Sequence, residues 1–317
     1  MSIKPAVLLG LIAALAGTIF CQHRPIAITI DDLPVVSTRT DLANRQKITK
    51  KLLEHITKAK VPVIGFVNEN KLYTDGKLDE KQVDLLRLWL AAGLELGNHT
   101  YSHVSLHNVG AEEFEADVIK GETVTKALLA QTGKKLRFFR YPYLMTGRTL
   151  EIKAEVAKFL AGRGYTIAPV TFDNADYIFS RAYDNAFDKG DKALMKRVGA
   201  AYVPYMESKI DYWERQSVRS FGREISEVML THANFINSDY LDDLIKMLHR
   251  RGYKFVDLET ALEDEAYSSP DTYIGRAGIS GLHRWALTEG KGNVLGGEPH
   301  VPEFVMKASG FDSEELS

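Results

Sequence analysis

The sequence has little cysteine and almost no net charge. Cys21 is the single cysteine among 317 residues, so the chain can form no internal disulfide and must derive its stability from a hydrophobic core. The 40 basic residues nearly balance the 42 acidic ones, leaving a formal net charge of −2. Without a basic excess to displace counterions from phosphates, the chain is not expected to bind nucleic acid. Its hydrophobic fraction of 45% is typical of a soluble globular protein.

Long apolar runs are missing except near the N-terminus. Lys4 precedes an uncharged apolar run from Ala6 to Phe20, which is shorter than the ~20 apolar residues that span a bilayer comfortably. This pattern predicts a secretory signal peptide over residues 1–22, an exported (periplasmic or extracellular) protein, and no transmembrane helix after cleavage. Cys21 could anchor a lipoprotein, but the bulky Phe20 beside it disfavours that alternative.

Short apolar runs alternate with longer helical patterns along the rest of the chain. The runs are nearly continuous in apolar character, as strands of a buried parallel sheet are. The predicted strands are Ile26–Ile30, Val61–Val67, Leu94–Gly97, Leu136–Phe139, Tyr165–Val170, Glu227–Leu230 and Tyr253–Val256. The main predicted helices are Asp41–Ala59, Asp79–Ala92, Ala111–Gln131, Leu150–Arg163 and Ser238–Arg251. This order predicts an α/β fold with a parallel sheet, open or closed into a barrel.

Two regions depart from the alternation. Residues 181–221 form a predicted helical insertion that is rich in aromatic side chains, for which core packing is the more common role and sugar stacking the alternative. Residues 268–317 are rich in glycine and proline and are expected to pack as a tail on the barrel surface. The prediction is therefore one domain over residues 23–267, which carries the insertion and is followed by the tail.

Polar side chains follow five of the predicted strands. Because the C-terminal ends of parallel strands in a barrel open onto one rim, these side chains are expected to converge there. They are Asp31, Asp32, His99, Arg140, Asp173, Asp176 and His232. For each residue alone, a structural role such as a polar turn, a salt bridge or a helix cap is the more common outcome. The coincidence across five strands favours a site.

A metal site is the simplest reason for several of these residues to meet. Adjacent carboxylates at Asp31 and Asp32 repel each other, and a bound cation would relieve that cost. His99 and His103 are four residues apart, so they are expected on one side of a helical turn, where they can share an ion. Two histidines and one aspartate with open positions form a set that zinc uses in hydrolases.

These residues resemble the polysaccharide deacetylase family, also called the NodB homology domain or carbohydrate esterase family 4. The resemblance runs from about Ile26 to Leu258, and the first three of its five motifs are together specific. The motifs are Thr29-Ile30-Asp31-Asp32 (T-F-D-D), His99-Thr100-Tyr101-Ser102-His103 (H-[ST]-x-x-H), Arg140-Tyr141-Pro142-Tyr143 (R-x-P-Y), Asp173-Asn174-Ala175-Asp176-Tyr177 (D-x-x-D-W) and Leu230-Thr231-His232 (L-x-H). The resemblance implies a distorted, incomplete (β/α) barrel with about seven parallel strands.

The resemblance also implies roles for the metal and the acid–base residues. It makes Asp32, His99 and His103 the ligands of a divalent metal, most often zinc. It makes Asp31 the general base and Arg140 the residue that pairs with it and keeps it ionised.

The remaining implied roles concern the leaving group and the substrate. The backbone N–H of Tyr143 would stabilise the oxyanion, and Leu230 would line the pocket for the acetyl methyl. His232 would be the general acid, with Asp176 as its charge partner. Tyr177 stands where the family has tryptophan, so the substrate groove is expected to differ in shape.

The expected function is removal of acetyl groups from an acetylated glycan or oligosaccharide, such as N-acetylated chitin or peptidoglycan or O-acetylated xylan. One alternative is an amide hydrolase that acts on a small non-glycan substrate, which an exported location disfavours. Another is a non-haem iron oxygenase, which also uses two histidines and a carboxylate but normally on a double-sheet β fold. A third is a carbohydrate-binding relative without catalysis, which would need neither Asp31 nor His232.

Overall fold

The computed structural model of the chain describes residues 24–314. The predicted signal peptide and Cys21, with the export and anchoring inferred from them, lie outside the described residues. Within these residues, seven strands form one sheet, in the order β7 (Thr166–Ile167), β6 (Phe138–Phe139), β5 (Glu95–Asn98), β2 (Val63–Val67), β1 (Arg24–Leu33) and β8 (Glu227–His232). The seventh strand, β9 (Tyr253–Phe255), pairs with the N-terminal part of β1. Every pairing in this sheet is parallel. The sheet curls into an open half-barrel, which confirms the predicted incomplete barrel and disfavours the double-sheet β fold of the oxygenase alternative.

All seven predicted strands are present, each within a few residues of its expected bounds. A short antiparallel pair, β3 with β4, was not predicted. The strands are β1 Arg24–Leu33, β2 Val63–Val67, β3 Tyr73–Thr74, β4 Lys77–Leu78, β5 Glu95–Asn98, β6 Phe138–Phe139, β7 Thr166–Ile167, β8 Glu227–His232 and β9 Tyr253–Phe255.

Helices surround the sheet and account for most of the remaining chain. They are α1 Leu42–Ala59, α2 Glu80–Ala91, α3 Ala111–Lys120, α4 Thr123–Gln131, α5 Leu150–Gly162, α6 Asp176–Asp188, α7 Lys192–Phe221, α8 Phe235–Arg250, α9 Leu258–Leu262, α10 Gly281–Thr288 and α11 Glu303–Ser309. Within residues 24–314, no helix is both long and apolar enough to cross a membrane.

One helix predicted as continuous is two helices in the structure. The stretch expected as a single helix over residues 111–131 is divided into α3 and α4 at Gly121. The backbone of Thr100 approaches Gly121 so closely that an added Cβ would lie 2.5 Å from the Thr100 carbonyl carbon. The interruption therefore leaves room for the loop after β5, which carries two candidate metal ligands.

The alternation of side chains along β1 separates two parts of the core. Ile26, Ile28 and Ile30 face the large cluster formed with the outer helices. Ala27 faces the half-barrel interior, where it packs in a smaller cluster with residues such as Phe66. Because both faces of β1 are buried, the near-continuous apolar run in the sequence is the pattern that a central parallel strand requires.

The aromatic side chains of the predicted insertion pack mainly in the core. The insertion is formed by most of α6 together with α7, and Tyr202, Tyr212 and Trp213 of α7 are each exposed by 1% or less. Phe187 is an exception, with 42% of its surface exposed. These buried rings stabilise the wall that α6 and α7 build beside the carboxyl end of the sheet.

The C-terminal segment, defined here as residues 268–314, packs on the same wall. Val301 and Val305 are buried in the main hydrophobic cluster, and α11 lies against α6. Asn185 of α6 donates its side-chain amide to the carbonyl oxygens of Ala308 and Ser309, each at 3.0 Å. The segment therefore has fixed contacts with the barrel and reaches the rim where the candidate site lies.

Candidate metal and acid–base site

The two aspartates that end β1 owe their arrangement to an irregularity in the sheet. Consecutive residues of a regular strand point to opposite faces, so two adjacent carboxylates would normally diverge. The register between β1 and β2 shifts between Ile30 and Leu33, where β1 has one extra residue, and Asp32 takes a φ of 70°. Such a bulge re-aims side chains, and it allows Asp31 and Asp32 to line the same cavity.

The two histidines come together, but not through the helical turn predicted from their spacing. His99 to His103 form an irregular loop after β5, with positive φ at Thr100 (65°) and His103 (58°). The prediction of a helical turn is therefore wrong. The backbone N–H of Thr100 bonds to the Asn98 side chain at 2.7 Å, and the N–H of His103 bonds to the Thr100 hydroxyl at 3.0 Å. These local bonds fold the loop sharply enough to bring the rings to a centroid distance of 4.8 Å.

Asp32, His99 and His103 form the candidate metal centre that the sequence predicts. One ligand atom from each residue lies within 4.8 Å of the other two. The Asp32 Oδ1 atom is buried without a hydrogen-bond partner, at 3.5 Å from His103 Nε2 and 4.0 Å from His99 Nε2. The Lys71 ammonium lies 3.3 Å from this oxygen and offsets part of its charge. A coordinated cation would satisfy the oxygen fully, since a buried carboxylate oxygen that lacks a hydrogen bond is costly. The residues present therefore fit a divalent metal.

The protonation of both histidines also suits metal binding. Burial is the main cause that holds the pKa of His99 well below its ordinary value, and burial likewise lowers the pKa of His103. His99 Nδ1 lies 2.8 Å from the carbonyl oxygen of Arg140, so this nitrogen carries the hydrogen and Nε2 keeps its lone pair. Neutral imidazoles with a fixed orientation are the form in which histidine binds metals.

Asp31 lies beside this cluster but outside it. Its Oδ2 is 3.7 Å from His99 Nε2 and 3.5 Å from Nη1 of the buried Arg140, which also donates to the Thr29 hydroxyl at 3.1 Å. Burial raises the pKa of Asp31 to about 6, although Arg140 and His232 act in the opposite direction. The Oδ1 atom of Asp31 has no hydrogen-bond partner. A carboxylate in this state can accept a proton near neutral pH.

Asp32 has the opposite electrostatic character although it is the next residue. Burial alone would raise its pKa, but Lys71, His103 and His232 hold that pKa well below its ordinary value. The Lys71 ammonium is 3.3 Å from Asp32 Oδ1 and donates to the Asp32 carbonyl oxygen at 3.0 Å. The two carboxylates are thus divided into one that stays ionised and one that can take up a proton.

The half-buried His232 and the buried Asp176 form a second pair at the same rim. His232 Nδ1 lies 2.6 Å from Asp176 Oδ1, and the His232 backbone N–H donates to Asp176 Oδ2 at 2.9 Å. The amides of Asn234 and Asn237 donate to the same Oδ2 at 3.2 and 2.7 Å. Burial would lower the pKa of His232, but Asp176, with Asp32 and Asp31, raises it to about 9. His232 is therefore a charged donor at neutral pH.

Backbone strain is concentrated at this rim. Seven residues other than glycine have positive φ in the described part of the chain, and five of them belong to the site: Asp32, Thr100, His103, Tyr143 and Leu144. Each such conformation costs roughly 1–3 kcal/mol and persists only where the surrounding structure enforces it. The clustering indicates that the positions of these side chains are maintained at the expense of stability.

A cavity of about 650 Å³ opens above the candidate metal ligands and the His232–Asp176 pair. All the predicted site residues line it except Arg140 and Asp176, which lie behind Asp31 and His232. Tyr143 is 38% exposed, and its ring is 4.4 Å from that of His103. Leu230 packs with Leu144 and Val170 in a small apolar cluster.

Several functional candidates were missed by the sequence interpretation. Lys71 lies outside all five motifs, and only the short distance between its ammonium and Asp32 identifies it as part of the site. Leu144 shares the apolar cluster with Leu230 but lies just beyond the third motif. Asn234 and Asn237 carry no recognisable signal before the fold shows that both bond to Asp176.

Comparison with known proteins supports the same family as the sequence motifs. Residues 21–162 match a family model described as polysaccharide deacetylase. A peptidoglycan-N-acetylglucosamine deacetylase of Bacillus cereus is 30% identical over 152 residues, which make up 48% of this chain and 46% of that relative. The chain therefore spans about half the length of this curated relative.

Solved structures agree at the level of the fold. A chitin deacetylase from the fungal pathogen Colletotrichum lindemuthianum superposes with a TM-score of 0.50 and 20% identity, covering 77% of this chain and 90% of the other. A carbohydrate esterase family 4 pseudoenzyme from Bacillus anthracis gives a TM-score of 0.46 and 16% identity, covering 76% and 66% of the two chains. At these identities, the first likeness supports the half-barrel fold alone, and the second is too weak to bear on function.

Proposed function

We propose that the chain, whose residues 21–162 match a family model described as polysaccharide deacetylase, is a metal-dependent hydrolase that removes acetyl groups from a carbohydrate. The observation that carries this proposal is the division of labour between the aspartates. Asp32 stands within the three-residue ligand cluster, whereas Asp31 lies beside it with a raised pKa and an unpartnered oxygen. A site that only bound metal would have no use for the second carboxylate.

Asp32, His99 and His103 would hold the divalent metal, which we propose to be zinc on the basis of the donor set. When bound, the metal supplies Lewis acidity, polarising the acetyl carbonyl and lowering the pKa of water. All three ligand residues line the cavity, so the cluster has a side that faces open space. A substrate carbonyl can therefore approach from that side.

Asp31 is the proposed general base. Its pKa of about 6 leaves it largely ionised at neutral pH yet basic enough to accept a proton from the attacking water. Arg140, which is 1% exposed, directs the carboxylate from behind without entering the cavity. Arg140 is therefore a positioning residue, and its loss would alter both the orientation and the charge of Asp31.

His232 is the proposed general acid. With a pKa of about 9, it is protonated at neutral pH. Its Nδ1 is engaged by Asp176, so Nε2 is the nitrogen available to the cavity that His232 lines. From there it can donate a proton to the leaving amine or alcohol as the bond to the acetyl carbon breaks.

The acetyl group itself needs an oxyanion donor and an apolar pocket. We assign these to the backbone N–H of Tyr143 and to the cluster of Leu230 with Leu144. Tyr143 stands in a strained left-handed conformation, with φ of 57°, as residues at functional sites often do. Tyr177 would line another part of the cavity wall.

The proposed substrate is an acetylated glycan or oligosaccharide. An N-acetylated one is favoured, because the similar protein from Bacillus cereus is a peptidoglycan-N-acetylglucosamine deacetylase. We also propose export to the periplasm or the cell exterior, on the basis of the signal-like sequence over residues 1–22. Such a location would bring the enzyme to cell-wall or environmental polysaccharide.

The test is release of acetate from N-acetylglucosamine oligomers, peptidoglycan fragments and acetylated xylan, with 4-nitrophenyl acetate as a small ester. We expect turnover that disappears on chelation and returns when zinc or another divalent ion is added. The matched control is Asp31→Asn, which should bind the same amount of metal. Turnover that survives complete chelation, or an Asp31→Asn variant with full activity, would contradict the proposal.

A further inference from the structure

The C-terminal segment takes part in the cavity wall, although it lies outside every motif of the family. It reaches the cavity at residues 277–279, at residues 298–300, and at Phe311 and Glu314. It therefore meets the rim at two separate places. The first crossing lies beside Tyr143 after β6, and the second crossing lies beside Tyr177 in α6. A substrate longer than the cavity that extended in either of these directions would meet the segment.

The first crossing is closely fitted to the barrel. An added Cβ at Gly278 would lie 1.7 Å from the carbonyl oxygen of Tyr143, so the two backbones are in direct contact. The backbone N–H of Gly281 donates to the Val170 carbonyl oxygen at 2.7 Å, and the Ser280 hydroxyl donates to the Thr171 carbonyl oxygen at 2.8 Å. The chain is thus fixed to the rim at this point.

The second crossing is attached through the residue that departs from the family motif. The Tyr177 hydroxyl donates to the carbonyl oxygen of Glu314 at 2.6 Å, and its ring is 5.8 Å from that of Phe311. The guanidinium of Arg181 lies 5.5 Å from the centre of the Phe311 ring. A tryptophan at position 177 could donate only its indole N–H, from a different point on a larger ring. The tyrosine and the C-terminal segment are therefore matched to each other.

The part of the cavity near residues 298–300 is charged and polar. Lys209, only 5% exposed, forms an ion pair with Glu298, and the half-buried Asp173 lies close enough for Lys209 to lower its pKa. Burial outweighs that influence and raises the pKa of Asp173 to about 6. Carboxylates and an ammonium in the same lining as Leu144 and Leu230 suit a sugar ring whose hydroxyls face the charges and whose acetyl group faces the leucines.

We infer that the C-terminal segment limits the substrate to one or two sugar units, either a free short saccharide or the end of a chain, and excludes the interior of a polymer. This inference rests on the proposed function and deepens it. The volume of about 650 Å³ lies within the roughly 300–1,000 Å³ typical of small-molecule sites. Both crossings act as steric barriers against longer substrates, which is a common way to build specificity.

The test uses the full chain and N-acetylglucosamine oligomers of one to six units, with glycol chitin as the polymer. We expect kcat/KM for acetate release to reach its maximum at one or two units and glycol chitin to be turned over poorly. Binding measured by calorimetry should show the same plateau, with Kd changing less than about threefold from the dimer to the hexamer, because added units find no further contacts. A steady rise in affinity or kcat/KM up to the hexamer would overturn the inference.

A pair of variants examines the wall itself. Phe311→Ala removes the ring between Tyr177 and Arg181 and should raise the ratio of hexamer to dimer kcat/KM by about tenfold, as loss of a steric barrier does. Phe304→Ala is the matched control, because Phe304 packs against Arg197 in the same segment but does not line the cavity. An unchanged ratio in Phe311→Ala, or an equal change in both variants, would contradict the inference.

The two proposals can fail separately. If no acetate is released from any substrate, including 4-nitrophenyl acetate with added divalent metal, the proposed function is wrong. The calorimetric plateau still decides the size limit in that case, because it measures binding and needs no turnover. If acetate is released fastest from glycol chitin, the deacetylase assignment stands and the size limit is wrong.

Discussion

The strand-end rim and the C-terminal segment build the same cavity in different ways. The rim supplies the reactive groups from the carboxyl ends of β1, β5 and β8, where the parallel sheet places them together. The C-terminal segment forms part of the cavity wall. It is held there by backbone contact with Tyr143 and by a hydrogen bond from the Tyr177 hydroxyl. If both proposals hold, the chemistry depends on the barrel, whereas the substrate size depends on a segment that the family motifs do not include.

The largest expected effect is loss of a ligand on the rim. His103→Ala should abolish both metal binding and turnover, because two donors remain where three are needed for tight coordination. Metal content by mass spectrometry, alongside acetate release, checks this. His249→Ala is the control, since His249 is exposed on α8 and contacts Phe255 away from the site. One full equivalent of tightly bound metal in His103→Ala would refute the ligand assignment.

Removal of the base should come next in size. Asp31→Asn should retain the metal but lose ~10²–10⁴ in kcat, the usual range for a positioned acid or base. The amide keeps the shape of the side chain beside Arg140 but cannot accept the proton. Single-turnover kinetics with metal analysis on the same sample would separate this effect from metal loss. A fall in metal content equal to the fall in activity would make Asp31 a ligand instead.

The acid on the rim gives a pH dependence. The pKa of His232 in the folded protein is about 9, above the ordinary value of about 6.5. The charged imidazolium therefore predominates below about pH 9 and is lost as the pH rises through that value. Turnover should fall over the same range, or somewhat lower, since a cation on Asp32 cancels part of the charge that raises the pKa.

Asp176→Asn tests the origin of that alkaline limb. Without the carboxylate, His232 loses its main charge partner, and the falling limb should move to lower pH. At pH 8, kcat should drop by about 10²-fold, the lower end of what loss of a positioned acid costs. pH profiles of kcat for both proteins provide the measurement. A limb that stays in place would exclude His232 as the acid.

The smallest expected effect concerns the C-terminal segment. Tyr177→Phe removes one hydrogen bond to Glu314, worth about 1 kcal/mol, and should increase the opening of that segment about fivefold. Limited proteolysis would report faster cleavage near the C-terminus. Tyr183→Phe, on the same helix but bonded to Asp239, is the matched control and should leave that cleavage rate unchanged. Equal acceleration in both variants would indicate general destabilisation of α6.

Most of the fold and the members of the rim could be predicted from the sequence, because both depend on local patterns. Near-continuous apolar runs mark buried parallel strands, and the polar residues that follow them must meet at one edge. The Arg140–Asp31 and His232–Asp176 pairs are present as the family resemblance implies. Their catalytic roles, the export signal and the domain boundaries stay predictions.

The parts that could not be predicted depend on contacts between distant residues. The spacing of His99 and His103 suggested a helical turn, but side-chain bonds from Asn98 and Thr100 fold an irregular loop instead. The single helix expected around Gly121 is interrupted because that loop packs against it. The approach of the C-terminal segment to Tyr177, more than a hundred residues away in sequence, has no local signal at all.

The most direct test of the central claim is X-ray absorption at the zinc edge on the zinc-loaded full chain, compared with Asp32→Ala and Asp31→Asn. The account predicts two imidazole nitrogens at ~2.0–2.1 Å with carboxylate oxygen in the coordination sphere. That spectrum should be unchanged in Asp31→Asn and altered or lost in Asp32→Ala. A spectrum without histidine, or one that changes with Asp31 and not with Asp32, would contradict the division between ligand and base.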